Sequence, residues 1–398
     1  MIGVDRFVRA VTFAFALAAC GGGGGGQEKN PPVIPAPLIT LPQTHAILGD
    51  PSGRGRDDGG QRIGVAWPTP RFETSTDGTV TDHLTGLMWL ADANCMRTQL
   101  PAFDTDDTAA DGAVTWVHAL MFMSSIPGTA CAASYGDWRL PNILELETLL
   151  DWGRSFEQIV GPGIFANVQL GYPGYWVSTS ESALGSELYL DVENGILESA
   201  TAGTAYVLPV RGGSASAPAA VPKTGQRAIR YPGDDGDYSR GIGMPWPEPR
   251  FTTMADGSVR DGLTGLYWAP DANLMLSHDA GWDLDGATDD GMVTWVHALD
   301  YVELLGSTAY LGHADWRLPN VVELGSLYHY GYAEETCGGS PCASPSDWLD
   351  TQGFSNVQGL SSYWSSTAWA RDPYNLARVL HSYAYQTQPN HVWPVRGP

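Results

Sequence analysis

The chain has 398 residues, with 44 acidic against 21 basic side chains, a formal net charge of -23 at pH 7 and a pI near 4.5. Binding of nucleic acid requires clustered Lys and Arg, so this balance argues against a nucleic-acid partner and favours cations as small ligands. A hydrophobic content of 43% with 15 Trp is ample for globular cores, which excludes a wholly disordered chain.

An export signal is predicted at the N-terminus. Arg6 and Arg9 precede a short apolar run, residues 11–19, which ends in small residues before Cys20. The run is too short to span a bilayer, and its flanks suit a cleaved signal peptide. The Leu-Ala-Ala-Cys string resembles the lipobox of bacterial lipoproteins, whose cysteine is diacylated and becomes the new N-terminus. We therefore expect residues 1–20 to be a lipoprotein signal peptide, with Cys20 lipidated and inserted in the membrane.

A glycine run and a proline-rich stretch follow this cysteine. Six glycines, residues 21–26, cannot form a core, and the prolines after them favour an extended, semi-rigid chain. We predict that residues 21–61 are a tether that holds a folded body away from a membrane surface. By the sorting rule of bacterial lipoproteins, glycine rather than aspartate after the cysteine indicates the outer membrane. The expected location is secreted and lipid-anchored, in the outer membrane of a Gram-negative bacterium.

Two copies of one sequence fill the rest of the chain. Strings of six or seven residues recur at a constant offset of 179, among them residues 67–72 with 246–251, 84–89 with 263–268, and 114–120 with 293–299. Matches this long in unchanged order indicate tandem domains rather than a solenoid. We predict a first domain at residues 62–212 and a second at 226–398. The Ser-, Ala- and Pro-rich residues 213–225 between them are predicted to be a linker.

The predicted helices lie near the middle of each copy. Thr115 begins a helix whose apolar residues recur at helical spacing. Asn142 and Glu145 form a capping box, which Asn320 and Glu323 repeat in the second copy. A second helix is therefore predicted to start there and, in the first copy, to continue through residue 149.

Strands are predicted on both sides of these helices. Leu87–Leu90 is an apolar strand, and residues 188–192 and 196–197 flank Glu193-Asn194-Gly195 as a hairpin does. Residues 205–210 supply a closing strand. One strand, two helices and then several strands predict an α+β domain with a small antiparallel sheet.

Five motifs occur in the same order in both copies: Thr-Gly-Leu-x-Trp, Thr-Trp-x-x-Ala, Asp-Trp-Arg-Leu-Pro-Asn-x-x-Glu-Leu, Tyr-Trp-x-Ser-Thr and Val-Arg-Gly. Together they resemble the domain family named after the C-terminal domain of a Legionella collagen-like adhesin, and the resemblance covers both copies nearly end to end. It implies two tandem C-type-lectin-like domains, each with two helices and a small antiparallel sheet. The family's namesake binds sulfated glycans and cell surfaces. Fold alone does not decide function.

Four cysteines remain after the lipidation site, namely Cys95, Cys131, Cys337 and Cys342. An even count in an oxidising compartment predicts disulfides. Because each pair lies within one copy, we expect bridges between Cys95 and Cys131 and between Cys337 and Cys342. No Cys-x-x-Cys pair supports a zinc site or a thioredoxin-type redox centre.

An acidic loop before the first helix of each copy suggests a metal site. Its aspartates coincide between the copies at the offset of 179, and they are Asp104, Asp106 and Asp111 in the first copy and Asp283, Asp285 and Asp290 in the second. Calcium needs six to eight oxygens from a bendable loop, and alternate aspartates near glycine supply them. Calcium is therefore the expected cofactor. The alternative is a solvated acidic loop, because the spacing is not that of an EF-hand.

The copies differ most between the second helix and the closing strand. There the second copy offers an aromatic and partly basic set of side chains, namely Tyr330, Arg371, Arg378, His381 and Tyr383. Aromatic faces stack on sugars, and arginine forks bind sulfate or carboxylate. We expect these residues to bind an extracellular glycan, with an anionic polysaccharide as the most plausible one. The alternative is that the tyrosines pack a long loop onto the fold.

The sequence predicts a non-catalytic binding or adhesion module rather than an enzyme. No Ser, His and Asp set recurs in both copies. Two weak sites on one chain raise the effective affinity, which suits paired domains. One alternative is a structural envelope component that binds a surface protein. Another is an oxidoreductase of the formylglycine-generating type, which the Arg-Leu-Pro-x-x-x-Glu element resembles, but the first copy lacks the late cysteines of that chemistry.

Overall fold

Short strands and helices alternate along each repeat. The computed structural model describes residues 35–104, 111–132, 134–154, 161–181, 186–200, 203–237, 243–283 and 290–397. The elements up to the end of the first repeat are, in chain order, α1 (Asp58–Gln61), β1 (Phe72–Thr74), β2 (Thr79–Asp82), β3 (Leu87–Leu90), α2 (Cys95–Gln99), α3 (Trp116–Ser125), α4 (Ile143–Glu147), α5 (Gly161–Ile164), β4 (Tyr175–Glu181), β5 (Ser186–Asp191), β6 (Ile196–Ala200) and β7 (Val210–Gly212).

The second repeat follows the same order with different strand lengths. Its elements are β8 (Phe251–Thr253), β9 (Val259–Asp261), β10 (Tyr267–Trp268), α6 (Leu274–His278), β11 (Met292–Val293), α7 (Trp295–Ser307), α8 (Val321–Gly325), β12 (Thr336–Cys337), β13 (Ser340–Pro341), α9 (Pro345–Asp350), β14 (Leu376–Val379), β15 (Ser382–Tyr385), β16 (Asn390–His391) and β17 (Val395–Arg396). The α+β class and the two tandem domains are confirmed.

An antiparallel four-stranded sheet lies at the base of each repeat. The strand orders are β1-β2-β3-β7 and β8-β9-β10-β17, so the last strand pairs with the third in both. The predicted closing strand at residues 205–210 forms a regular ladder only from Val210, whereas Ala205 makes an isolated bridge to Val114. Pro209 has no N–H to donate, which accounts for the late start of the ladder.

The predicted capping boxes are present at both second helices. The Asn142 side chain accepts from the Glu145 N–H at 2.8 Å, and the Glu145 carboxylate accepts from the Asn142 N–H at 2.9 Å. Asn320 and Glu323 form the same pair at the start of α8. Helix α4 ends at Glu147, earlier than predicted, because the N–H groups beyond it close turns rather than continue the helix.

Tryptophans fill the cores of both repeats. Trp89, Trp138 and Trp176 are fully buried in the first repeat, and Trp268, Trp295, Trp364 and Trp393 are fully buried in the second. Such large side chains bury much apolar area each and dominate the packing. The two repeats also share a core, because Val321 and Tyr330 of the second repeat pack in an apolar cluster of the first.

Both predicted disulfides are within bonding geometry. Cys95 and Cys131 have Cα atoms 5.8 Å apart and close a loop of 36 residues, whereas Cys337 and Cys342 have Cα atoms 4.9 Å apart and close a loop of 5. Both Cα distances lie in the usual range for disulfides. In the described part of the chain, no helix combines the length and the apolar character that a membrane-spanning helix needs.

A segment ahead of each repeat is packed rather than free. We call residues 38–61 the first lead segment and residues 219–237 the second. Ile39 and Asp58 of the first are almost fully buried, as are Ala219 and Ala220 of the second. Composition predicts a tether at residues 21–61 and a linker at residues 213–225. The structure instead builds their described parts into the folded body, because their apolar and acidic side chains find partners there.

Each lead segment is attached to the repeat that follows it in the chain. The N–H of Trp152 donates to the carbonyl of Thr44 at 3.0 Å, and the N–H of Tyr330 donates to the carbonyl of Thr224 at 3.0 Å. The two threonines and their partners occupy equivalent positions in the two halves. The two lead segments are therefore attached to their repeats in the same way.

Each lead segment also docks on the other repeat. The Thr367 hydroxyl of the second repeat donates to Asp58 at 2.9 Å, and the Thr179 hydroxyl of the first repeat donates to Asp235 at 2.8 Å. The backbone of the first lead segment also contacts the second repeat, since the Asp58 N–H donates to the Ser366 carbonyl at 3.0 Å. Each lead segment thus contacts both repeats. We call this arrangement the reciprocal exchange of lead segments, and its hydrogen bonds join the two repeats.

Candidate functional site

The Asp-Trp-Arg-Leu-Pro-Asn motif is structural in both repeats. Arg139 donates to both carboxylate oxygens of Glu145, at 2.5 and 2.6 Å, and both side chains are buried. Arg317 and Glu323 repeat the pair at 2.7 Å for both bonds. Because the same glutamate completes the capping box, the arginine fixes the start of the helix. The ion pair therefore gives this motif a structural role in both repeats.

The described aspartates of the acidic loops accept hydrogen bonds from backbone N–H groups. Asp104 accepts from the Gly112 N–H at 2.7 Å, and Asp283 accepts from the Gly291 N–H at 2.8 Å. Asp111 and Asp290 each accept from the N–H two residues further on, at 2.8 and 2.9 Å. These bonds hold the loop ahead of the first helix of each repeat.

Two members of the predicted calcium site, Asp106 and Asp285, lie outside the described residues. Within the described ranges, no three His, Cys, Asp or Glu side chains gather as a metal site requires. Asp104 and Asp283 are oriented by backbone N–H groups, so loop closure accounts for their positions. Calcium at these loops stays a prediction.

Arg378, a predicted ligand residue, lies between the repeats. It is buried, its guanidinium lies over the Trp152 ring at 4.6 Å, and it donates to the carbonyls of Asn194 and Gly195 at 2.5 and 3.4 Å. Burial lowers the pKa of Arg378 to about 9. The hairpin turn of the first repeat therefore rests on this arginine. Its contacts account for it without a ligand.

Three more residues of the predicted set face the first repeat. Arg371 pairs with Glu193 at 2.5 Å, and the Tyr330 hydroxyl is 3.1 Å from His381 Nε2. His381 in turn lies 3.5 Å from Glu147. Much of the region where the two copies differ in sequence is thus the surface through which the repeats meet. The first repeat contributes its hairpin turn to this contact, and the second contributes an arginine.

The remaining predicted residue, Tyr383, belongs to an exposed aromatic face on the β14–β15 hairpin. Tyr383 pairs with Arg378 and Tyr385 pairs with Leu376 across the ladder. Residues two apart on a strand project to the same side, and these tyrosines are 38% and 58% exposed. Trp369 stacks on Tyr383 with ring centroids 4.5 Å apart and planes inclined by 11°. Such stacking fixes the orientation of the rings.

A polar groove continues this face. Tyr374 is 68% exposed and lines the groove together with Tyr385, at a cavity volume of about 370 Å³. Asp372 and Asn375 lie on its wall, where the Asn375 amide donates to Asp372 at 2.9 Å. Gln386 is buried beneath them. We name Trp369, Tyr374, Tyr383 and Tyr385 the aromatic face.

Sequence reasoning missed three parts of this architecture. Tyr374 was not among the predicted ligand residues, although it lies in the same divergent region. Glu147, which faces an apolar cavity, was not noticed. The sequence does carry a signal for Asp58 and Asp235, since each belongs to an Asp-Asp-Gly string that follows a Pro-x-Thr string. The predicted repeat began after these strings, at residues 67 and 246, and so did not include them.

These features define a tandem α+β protein whose exposed chemistry is aromatic and polar. The family model of the Lcl C-terminal domain matches residues 78–211 and 257–396, more than half of the chain. The protein belongs to the Lcl C-terminal domain family, in two tandem copies. No curated protein and no solved structure matched the chain.

Proposed function

We propose that this protein is a non-catalytic adhesion module of the bacterial cell surface, and that its second repeat binds a neutral, hydroxyl-rich polysaccharide. The observation that carries the proposal is the exposed aromatic face beside a polar groove. Membership of the Lcl C-terminal domain family is compatible with an adhesin-like role at a surface. The proposal that it is not an enzyme rests on the absence of a recurring catalytic set from the sequence.

The aromatic face has the chemistry that sugars require. The apolar face of a pyranose ring packs against an aromatic ring, and a cluster of exposed aromatic side chains on a soluble protein marks an interaction site. Tyr374 and Tyr385 both line the groove and supply such rings. Asp372 and Asn375 supply acceptors and donors for hydroxyl groups at the groove wall. Stacking and hydrogen bonding are thus available at one place.

The charges near the face favour a neutral glycan over an anionic one. Arg371 and Arg378 are engaged by Glu193 and by backbone carbonyls of the first repeat. Asp372 lies in the groove itself, and the chain carries a net charge of -23. A sulfate or carboxylate group would meet repulsion here. The two arginines on which the anionic polysaccharide was predicted are already engaged. The exposed tyrosines therefore become the basis of the proposal, and the proposed ligand is a neutral glycan.

The lipid anchor belongs to the same proposal. Cys20 lies outside the described residues, so its support is the lipobox-like string alone. A diacylated Cys20 would hold the body at a membrane surface, where an adhesion module is useful. Metabolic labelling with a fatty acid is expected to mark the wild-type protein and not Cys20→Ala. Equal labelling of both would remove the anchor from the proposal and leave the glycan site standing.

A glycan array with the purified body tests the ligand class. We expect binding to neutral polysaccharides, with no dependence on added calcium for the contact itself. Tyr374→Ala and Tyr385→Ala should each weaken binding about tenfold, since an aromatic anchor in an interface is worth about 1.4 kcal/mol or more. Met121→Ala is the matched control, because Met121 is an exposed apolar residue of the first repeat.

Two results would contradict the proposal. Binding unchanged in the double variant of Tyr374 and Tyr385 would show that the aromatic face is not the site. If the protein bound no glycan but did bind a surface protein, a role as a structural envelope component would be favoured instead.

A further inference from the structure

An apolar cavity lies where the two repeats meet, and the internal repeat supplies its walls in pairs. Leu144 of α4 and Val322 of α8 occupy equivalent positions after the capping boxes and line it together. The lead segments contribute as well, through Leu41 and Val221. Equivalent positions of both halves therefore line the cavity together.

At one pair of equivalent positions the two repeats carry different residues, and there the first repeat adds a carboxyl group to the cavity wall. Glu147 ends α4, whereas its equivalent at the end of α8 is Gly325, and both line the cavity. Glycine leaves open the volume that a second side chain would fill. A Cβ on Gly325 would meet nothing nearer than a Leu380 methyl carbon at 3.4 Å. Gly325 thus leaves space in the cavity that Glu147 also lines.

The carboxyl group of Glu147 is poorly compensated. Among the described residues, the one ion-pair distance that Glu147 makes is to His381, whose Nε2 lies 3.5 Å from the carboxylate, which is long for a hydrogen bond. Burial raises the pKa of Glu147 to about 8 and lowers the pKa of His381 to about 4. Of the described side chains that line the cavity, none is Lys or Arg. A carboxyl group in an apolar pocket is costly unless it meets a cation.

From this geometry we infer that the cavity is a binding site for a small apolar amine, whose ammonium group pairs with Glu147 while its hydrocarbon part packs between Leu144 and Val322. The cavity is mostly apolar with few polar groups, as small-molecule sites are. The protein's net charge of -23 raises the local concentration of cations. An anionic ligand would have no cationic side chain to meet.

The cavity volume sets the size of the ligand. It is about 90 Å³, well above the roughly 10–15 Å³ that one water-sized group needs, so a small organic molecule is the expected ligand. Benzylamine, benzyl alcohol and benzoate have this size and share one ring. They differ chiefly in charge, as cation, neutral molecule and anion.

Calorimetry or ligand-observed NMR with these three probes on the full chain tests the inference. Benzylamine should bind the wild type at least tenfold more tightly than benzyl alcohol, and benzoate should not bind measurably. Glu147→Gln keeps the shape and removes the charge, so benzylamine and benzyl alcohol should then bind alike. Gly325→Leu should weaken both at least tenfold, because its side chain occupies the cavity.

Several outcomes would overturn the inference: no binding of benzylamine, equal binding of the three probes by the wild type, or a benzylamine preference that survives Glu147→Gln. If Gly325→Leu fails to fold, as judged by its melting temperature, Val322→Phe fills the same space from the same helix. The site is separate from the aromatic face. Glu147→Gln should leave glycan binding unchanged, so either proposal can fail alone.

Discussion

Asp58 and Thr367 are 309 residues apart in the chain, and their side chains are hydrogen-bonded at 2.9 Å. Thr44 donates to the same carboxylate oxygen. Asp235 stands between Thr224 and Thr179 in the same way, with bonds of 2.6 and 2.8 Å. One carboxylate and two hydroxyl groups therefore fasten each lead segment to the opposite repeat.

The two carboxylates make the junction sensitive to pH. Burial raises the pKa of Asp58 and of Asp235 to about 6, although hydrogen bonds from the threonines oppose the shift. A raised pKa in the folded state means that the folded protein binds protons more readily than the unfolded chain. Stability from these groups is thus fully present below the unfolded pKa and is lost as pH rises through about 6.

We expect the difference between wild type and an Asp58→Asn, Asp235→Asn variant to depend on pH in that direction. Between pH 7.5 and pH 5 the wild type should gain about 1 kcal/mol per carboxyl group relative to the variant, by linkage from the shifted pKa. Urea titrations of both proteins at the two pH values measure this. Shifts at His329 and His381 act alike in both and cancel. A difference that stayed constant with pH would show that these carboxyl groups have ordinary pKa values.

Removing the buried arginine of the Trp-Arg motif should be far more harmful than removing an exposed one. Arg139→Ala leaves Glu145 buried without its partner, and such a loss costs about 3–5 kcal/mol. Arg211→Ala breaks an ion pair with Asp137 that is largely exposed and should cost about 1 kcal/mol or less. Chemical denaturation compares the two variants. Equal losses would mean that the capping-box ion pair is not a structural anchor.

The disulfides should contribute unequally to stability. Replacing Cys95 and Cys131 by Ser is expected to lower the free energy of unfolding by about 3 to 4 kcal/mol, against about 2 for Cys337 and Cys342. The longer loop, 36 residues against 5, restricts the unfolded chain more. Melting of the two double variants, with the reduced wild type as control, gives the order. Peptide mapping under non-reducing conditions that linked the two repeats would refute the pairing.

Calcium is expected to raise the melting temperature through the acidic loops. A ligand that binds the native state alone adds about 2.7 kcal/mol at a hundredfold excess over its dissociation constant. Asp106→Asn with Asp285→Asn is the better test than replacement of Asp104 and Asp283, because the latter two already hold the loop backbone. Magnesium serves as the control ion. A melting temperature unmoved by millimolar calcium, or raised equally in the variant, would leave these loops without a metal.

The helical starts and the repeat were predictable because their signals are local. Asn142 and Glu145 form a capping box within four residues, and the Asp-Trp-Arg-Leu-Pro-Asn-x-x-Glu-Leu motif that carries it recurs in the second copy. The family assignment rests on the same strings and is confirmed. The C-type-lectin-like fold stays what the resemblance implies.

Contacts between the repeats could not be predicted in the same way. Arg378 looked like an anion-binding residue because composition shows its charge and not the carbonyls of Asn194 and Gly195 that receive it. Proline and glycine near Asp58 suggested a spacer, whereas the aspartate is held by a threonine from the far end of the chain. Residues so far apart share no periodicity, so packing alone decides their meeting.

Reciprocal exchange of the lead segments means that neither half of this chain is a self-sufficient folding unit. A fragment starting at residue 226 would lack Thr224, and its Thr367 would have no Asp58 to bind. Two copies of one half could in principle satisfy each other, as the two halves do here, with the same face-to-face symmetry. Such a dimer would be a bimolecular association that depends on protein concentration, whereas the association of the two halves within one chain is intramolecular and does not.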